Sequence, residues 1–511
     1  MITTAAVAAL SSLALVTQDA TPLRASPTDS APAQAQLWPG DALEVRGERL
    51  GYLQVWDHKR ERGGYVKATQ VRGTDAKEAD APELLAVLRF VKDTPGSESL
   101  GIAYAAAYLK AAPARDIGPE AFDAIGTMAE RLARRASSRN TTPSTTLSAH
   151  LDGVGAYGVR WVNFERDGVV QLCYDGDAWR RVLAMPQATP AQQARAVLGL
   201  TRHDCVDPAL KPTEREANDR WRAELLDKLP TSAFASLPEW TKNKLRLRRA
   251  GVWSSLAFAQ ARRGEAAQAA GQRAVDELAG VRSTELAEED QAEYNDAAIR
   301  VGASRWAASP APVGTPDISR RPTLVTQAGE PGETCLLLVD AQHDAKKPLL
   351  RRCTWGVVWM NSTTADPSAS LLTVAVQPLA TWRELWVVRK VSPQAAGIQP
   401  PPPTGASQLG SGPSLTQDAE QGWVIDVLPP APGNPMGADS GYVEYAGYAP
   451  GAEPKLLLAR EARTEGRWNR RFEVAKLPTL TTDKFASTPQ ILAAFQRYQD
   501  PQWKRGTVSI R

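Results

Sequence analysis

Two rhythms of apolar and polar positions run along this chain and divide it. Between Ala81 and Ala307 apolar residues recur at three- and four-residue spacing. "AFDAIGTMAERL" sets Phe122, Ile125, Ala129 and Leu132 on one stripe, and "NDRWRAELLDKL" does the same for Trp221, Leu225 and Leu229, the pattern of amphipathic helices. "TPAQQARAVLGL" adds a start signal: Thr189 as cap, Pro190 at the first helical position and Gln192 three residues after the cap. Beyond Pro322 the period changes to two in "CLLLVD", "SLLTVAVQPL", "ELWVVRKV", "GYVEYAGYA" and "RRFEVAKL". This predicts an antiparallel all-β domain over 323–480, sandwich or propeller-like, followed by a C-terminal helix and tail over 481–511 with Ser487 as cap. One alternating stretch interrupts the helices: "GVRWVNFERDGVVQLCYDG" turns at Asp167-Gly168 and predicts a β-hairpin insertion near 158–176.

The N-terminus follows a third pattern. Residues Ala5 to Val16 are apolar or small throughout. A run of about 12 such residues is too short to span a bilayer and suits the apolar core of a signal peptide, so 1–20 is read as a leader cleaved near Val16 to Ala20. From Thr21 short alternating segments begin, with Leu23-Arg24 and Pro27, then Pro39-Gly40-Asp41 before "ALEV", then "GYLQVW" and "GGYV". These pieces resemble a bacterial Src-homology-3-like domain, placed at 21–75. The resemblance implies a small β-barrel with turns at Gly51, Gly63 and Gly64. It also implies that the edge aromatics Tyr52, Trp56 and Tyr65 hold peptides or cell-wall fragments, although such rings equally fill a barrel or face a neighbouring domain.

Within the helical region, 81–307, "AGVWSSLAFAQARRGEAAQAAGQRAVDEL" carries Trp253, Leu256, Ala257, Gly264 and Ala269 at spacings that resemble a tetratricopeptide unit. The resemblance implies an antiparallel helical hairpin in which large residues of one helix pack beside small ones of the next. Proline and small residues at 308–322 mark a linker, and the Pro, Gly and Ser of 397–414 mark a disordered insertion in the β domain. The fold class expected is thus multidomain α+β.

Composition narrows the function classes. At 511 residues two to four domains are expected, and 60 Lys and Arg against 57 Asp and Glu leave a net charge of +3. That balance gives no reason to expect nucleic acid as a partner. No later segment reaches the roughly 18 uninterrupted apolar residues of a membrane span, so the mature chain is expected to have none. There are 15 Trp, more than the 11 Tyr or 8 Phe, which suits core anchors.

The four cysteines form two candidate pairs. If Cys335 and Cys353 face each other in an antiparallel hairpin, Leu337 opposes Arg351 and Val339 opposes Leu349, leaving the polar "AQHDAKK" at the tip. A structural bridge is the reading preferred over free thiols or a metal clip, because zinc would need further ligands at short spacing and His343 stands alone. Cys173 and Cys205 are the second pair. His203 beside Cys205 forms a nominal base and nucleophile, but residues two apart rarely face each other on a helix. "GVGAYG" matches the dinucleotide fingerprint only formally, since a strand rather than a helix follows it. The acidic "ELAEEDQAEYND", Glu285 to Asp296, reads as a solvated face. No catalytic, metal or cofactor residues are assigned. The expectation is an exported, periplasmic or secreted, non-enzymatic protein that binds other envelope proteins or peptidoglycan. The alternative is a cell-wall-acting enzyme targeted by its Src-homology-3-like part.

Overall fold

The computed structural model describes residues 12–137, 144–166, 169–310, 321–391, 422–431, 438–477 and 479–508. The insertion expected at 397–414, the Asp167-Gly168 turn and most of the linker at 308–322 lie outside the described residues. The chain divides into two compact units, Met1–Lys211 with Leu225–Leu237, and Pro212–Glu224 with Pro238–Arg511. The run of helices from 81 to 307 is therefore shared between the two units.

The first unit joins a sheet to a helix bundle. Its strands are β1 (Ser12–Val16), β2 (Thr21–Arg24), β3 (Ala33–Leu37), β4 (Ala42–Arg49), β5 (Tyr52–Asp57), β6 (Arg62–Lys67) and β7 (Val71–Thr74), in the order β3-β2-β6-β5-β4-β1-β7. Period-two alternation turns Val16, Leu23, Leu37, Leu43, Val55 and Val66 into one core. Leu50 and Gly51, with φ of 53° and 75°, make the tight turn between β4 and β5. Gly63 and Gly64 are not turn residues. They lie inside β6, where a Cβ on Gly64 would come within 2.7 Å of the Leu23 side chain and one on Gly63 within 3.2 Å of the Trp56 ring.

Two expectations change here. The sheet is open rather than a closed barrel, with β3 and β7 at its edges and no pairing between them among the described residues. The apolar run read as a leader supplies β1, which pairs with β4 on one side and β7 on the other. Ala14, Leu15 and Val16 are buried there. A short apolar run satisfies a signal core and a buried strand equally, because both need only continuous hydrophobicity.

The bundle comprises α1 (Ala81–Val91), α2 (Glu98–Ala111), α3 (Pro119–Ala136) and α4 (Thr145–Gly155), then the hairpin β8 (Trp161–Arg166) and β9 (Val169–Tyr174), then α5 (Asp177–Ala184) and α6 (Pro190–Leu200). Leu84, Leu88, Ile102, Met128, Leu132 and Val154 build its centre. The buried Trp179 of α5 reaches both α3 and α6. A Cβ on Gly126 would lie 2.6 Å from its ring, and one on Gly199 would lie 2.4 Å away. The capping box at Thr189 and Gln192 forms as read, each side chain bonding the other's backbone N–H.

The second unit takes α7 (Pro212–Asp227) as far as Glu224, the end of α7 and α8 (Thr231–Ser236) belong to the first, and the second continues with α9 (Glu239–Arg262), α10 (Gln268–Ala279) and α11 (Gln291–Ser304). The stripe read on α7 holds only in part: Leu229 is buried just past the helix end and Leu225 is half-buried, but Trp221 is exposed, while Arg222, Ala223 and Leu226 are buried. Helices α9 and α10 form the helical hairpin, with Gly264 at φ 72° in its turn. The small residue that packs with Ala257 and Phe258 of α9 is Ala270 rather than the exposed Ala269, and Gly271 instead lies against Ala307 and Ala308.

Strands β10 (Thr323–Ala328), β11 (Thr334–Val339) and β12 (Leu350–Thr354) form one sheet. The other sheet holds β13 (Val357–Ala365), β14 (Leu371–Leu379), β15 (Trp382–Lys390), β16 (Trp423–Leu428), β17 (Ala438–Ala449), β18 (Lys455–Thr464), β19 (Arg467–Lys476) and β20 (Thr481–Ala486). It forks at β15, whose Trp382 and Arg383 pair in parallel with β17 while Leu385 to Lys390 pair with β16. The remaining pairs of this sheet are antiparallel. Leu324, Leu336 and Leu338 from the small sheet interlock with Val374, Trp386 and Val388 from the large one, a sandwich-like layer. The β region is not self-contained. A Cβ on Gly302 of α11 would meet the Tyr442 ring at 2.3 Å, and Asn361 donates to the Trp306 carbonyl at 2.7 Å, so helices and sheet share one core. At the C-terminus β20 extends the sheet beyond 480, and the single expected helix becomes α12 (Ala493–Tyr498) and α13 (Pro501–Val508).

Candidate functional site

The three aromatics expected to bind ligand share one face of the first sheet, because Tyr52 pairs with Lys67, Gln54 with Tyr65 and Trp56 with Gly63. Their rings are largely engaged. Tyr52 is buried and donates to the Asp29 carboxylate at 2.6 Å, and Lys67 bonds the same carboxylate at 2.9 Å. The Lys67 and Tyr52 bonds hold the Asp29 carboxyl below its ordinary pKa. Trp56 lies under the Arg46 guanidinium at 4.6 Å, and Tyr65 is half-buried.

The cysteines pair as read. Cys173 bonds Cys205 and Cys335 bonds Cys353. In the second pair the register is the expected one, Cys335 opposite Cys353 and Leu337 opposite Arg351. Glu333, Cys335 and Cys353 bring ligand-type atoms within 4.8 Å of one another, but the two sulfurs are bonded to each other. The Cys205 sulfur is likewise committed, which removes the nucleophile beside His203. His343 bonds Asp340 at 2.9 Å in the hairpin tip, and His58 bonds Glu44 at 2.7 Å. His150 is buried edge-on to Trp38, with Nε2 3.4 Å from an Asp19 oxygen but not aligned for a hydrogen bond. The acidic stretch is more engaged than a solvated face: Asp290 pairs with Lys244, Glu293 with Arg248, and Asp296 accepts from the Trp468 indole.

In the second unit Glu444 is the hub of a buried charge cluster. One carboxylate oxygen accepts from Arg383 at 2.7 Å and from Arg305, and the other accepts from the Trp503 indole at 2.9 Å. Arg383 is fully buried, which lowers its pKa, while Glu444 opposes that shift. The hollow beside this cluster is about 30 Å³, space for little more than a water molecule.

The first unit has open hollows of a different size. A groove of about 460 Å³ runs past Val87, Phe90, Leu100 and Tyr104, with Arg72 and Glu83 paired on its rim. A second hollow, of about 480 Å³, lies among α2, α3, the end of α4, β9 and α5. Its floor is apolar: Leu109, Phe122, Ile125, Val159 and Ala178. Gly158, at φ 82°, reverses the chain after α4 and places Tyr157 and Val159 in the wall. This is what the "GVGAYG" stretch does in the fold.

Each polar group of the second hollow has an intramolecular bond. Tyr157 donates to the Gly40 carbonyl, and burial raises its pKa. Tyr174 accepts from the Ala178 N–H at 2.7 Å, and burial pushes its phenol up to about 12 despite that bond. Arg160 Nε bonds Asp175 at 3.0 Å, and Arg181 Nε bonds Asp177 at 2.9 Å, with the Arg181 guanidinium 5.4 Å from the Phe122 ring centre. The disulfide at Cys173, next to Tyr174, ties β9 to the turn after α6. Sequence reasoning found Phe122 and Ile125 as a helix stripe but not the site, because a core face and a pocket floor need the same apolar period. Comparison with protein-family models, with curated proteins and with solved structures finds no match.

Proposed function

We propose that this chain is an exported binding protein of the cell envelope, taking up peptides, partner proteins or cell-wall fragments without transforming them. One observation carries the reading: the open hollows of the first unit have ligand-sized volumes, and their titratable rim groups are already joined in pairs, Arg72 with Glu83, Arg160 with Asp175 and Arg181 with Asp177. Such a surface offers shape and polarity to a ligand, whereas general acid or base catalysis needs a group left poised to exchange its proton. Two disulfides suit an oxidising compartment outside the cytosol. The likeness of 21–75 to a Src-homology-3-like domain and of α9 and α10 to a tetratricopeptide hairpin supports the same style of work. The test is co-sedimentation with purified peptidoglycan and retention of envelope-derived peptides, with the supernatant assayed for new reducing ends and new amines. Retention without product is expected. Release of either product would replace this reading with the cell-wall enzyme.

A further inference from the structure

The hollow between α3, the end of α4, β9 and α5 combines an apolar floor with donors that its internal bonds leave unused. The Arg181 guanidinium spends its Nε on Asp177, and no hydrogen bond occupies its two Nη groups among the described residues. Arg160 repeats the arrangement with Nε on Asp175. Tyr174 uses a lone pair to accept from the Ala178 N–H, so its own O–H hydrogen remains available. The phenol keeps that hydrogen through the neutral range, since its pKa is raised to about 12. The wall thus presents the unused Nη donors of two guanidiniums and a phenolic donor, with each guanidinium balanced through its Nε by one carboxylate, Asp177 in the wall and Asp175 beside it.

We propose that this hollow is a binding site for a small carboxylic acid with an apolar body, about the size of one or two amino-acid residues. The apolar part would lie on Phe122 and Ile125, and the carboxylate would take the Nη donors of Arg181 and Arg160 and the Tyr174 hydroxyl. About 480 Å³ accommodates such a molecule. Arg181, stacked over Phe122, stands where the apolar and charged ends of the acid would meet. The proposal rests on the binding reading above and adds the ligand's charge and size.

Calorimetric titration of the full, disulfide-intact chain tests it with two matched pairs of probes: N-acetyl-phenylalanine against its amide, and octanoate against octanol. The acid of at least one pair is expected to bind roughly tenfold or more tightly than its uncharged partner, and the pair that shows the preference distinguishes a peptide-like from a lipid-like source. Arg181→Gln, on an exposed side chain, should abolish that preference without changing the circular dichroism spectrum. Tyr174→Phe should weaken acid binding in the same direction, and Ile125→Trp, which fills the floor, should remove binding of acid and uncharged partner alike. Equal affinity for acid and uncharged partner, or a preference that survives Arg181→Gln, overturns the proposal and leaves the broader binding reading standing. Absence of binding to all the probes by folded protein also overturns it, and peptidoglycan retention then decides the broader reading separately.

Discussion

A few single side chains carry more than their share of the stability. Glu444 neutralises the fully buried Arg383 and the nearly buried Arg305 while accepting from Trp503. Glu444→Ala leaves those guanidiniums without their carboxylate, and it should destabilise the second unit by roughly 3–5 kcal/mol in denaturant titration. Tyr174 offers a readout on the first unit. Its phenol rises to about 12 when folded, against an ordinary value of about 10, so the folded chain binds that proton more tightly. The associated stability is complete below about pH 10 and is lost as pH climbs towards about 12. Comparing wild type with Tyr174→Phe over alkaline pH should show a shallower decline in the variant. None of these residues stood out in the sequence, because a buried Arg and an exposed one are the same letter.

At the scale of elements, β1 is the sharpest case. Its Ser12–Val16 segment lies between β4 and β7, so a chain beginning at Thr21 should lose protection of β4 and β7 in hydrogen exchange. The mass of the natural N-terminus tests whether the chain is cleaved near Val16 to Ala20 at all, and a stable sheet in a chain beginning at Thr21 would show that β1 is dispensable. Trp179 fixes α5 between α3 and α6 by occupying space that Gly126 and Gly199 leave open. Gly126→Ala should therefore lower stability by roughly 1–3 kcal/mol through overpacking, despite alanine's better helix propensity, as a thermal melt would show. Local signals did well here. The Thr189 capping box, the 158–176 hairpin and the Cys335 to Cys353 register all depend on residues near in sequence, and all were legible. The open sheet and the fork at β15 depend on partners far away, whereas β10 and β20 pair with their sequence neighbours β11 and β19, and their mostly exposed residues carry little apolar alternation to mark them.

For the molecule as a whole, each of the two units contains one disulfide. Non-reducing peptide mapping of chain isolated under alkylation should return Cys173 linked to Cys205 and Cys335 linked to Cys353. A cross-unit link, or four free thiols, would remove the argument for an oxidising compartment. Cys335→Ala with Cys353→Ala opens a closed segment of 18 residues and should lower the stability of the second unit by about 3 kcal/mol. That unit unites α9, α10 and α11 with the sandwich-like sheets, so its unfolding should be a single transition that includes the helical hairpin.

What the amino-acid order determined by itself was the alternation between helical and strand periods, the cap at Thr189 but not the one read at Ser487, the turn at Gly51, the cysteine pairing and the balanced charge. Each follows from interactions that span a few residues or from composition alone. Tertiary structure decided that an apolar run becomes a buried strand and that the helices split between two cores. It also decided that Phe122 and Ile125 floor a hollow while Tyr52 is buried against Asp29. The physical reason is common to these cases: hydrophobicity specifies that a side chain leaves water, but only the packing of distant segments specifies which surface receives it and whether that surface closes.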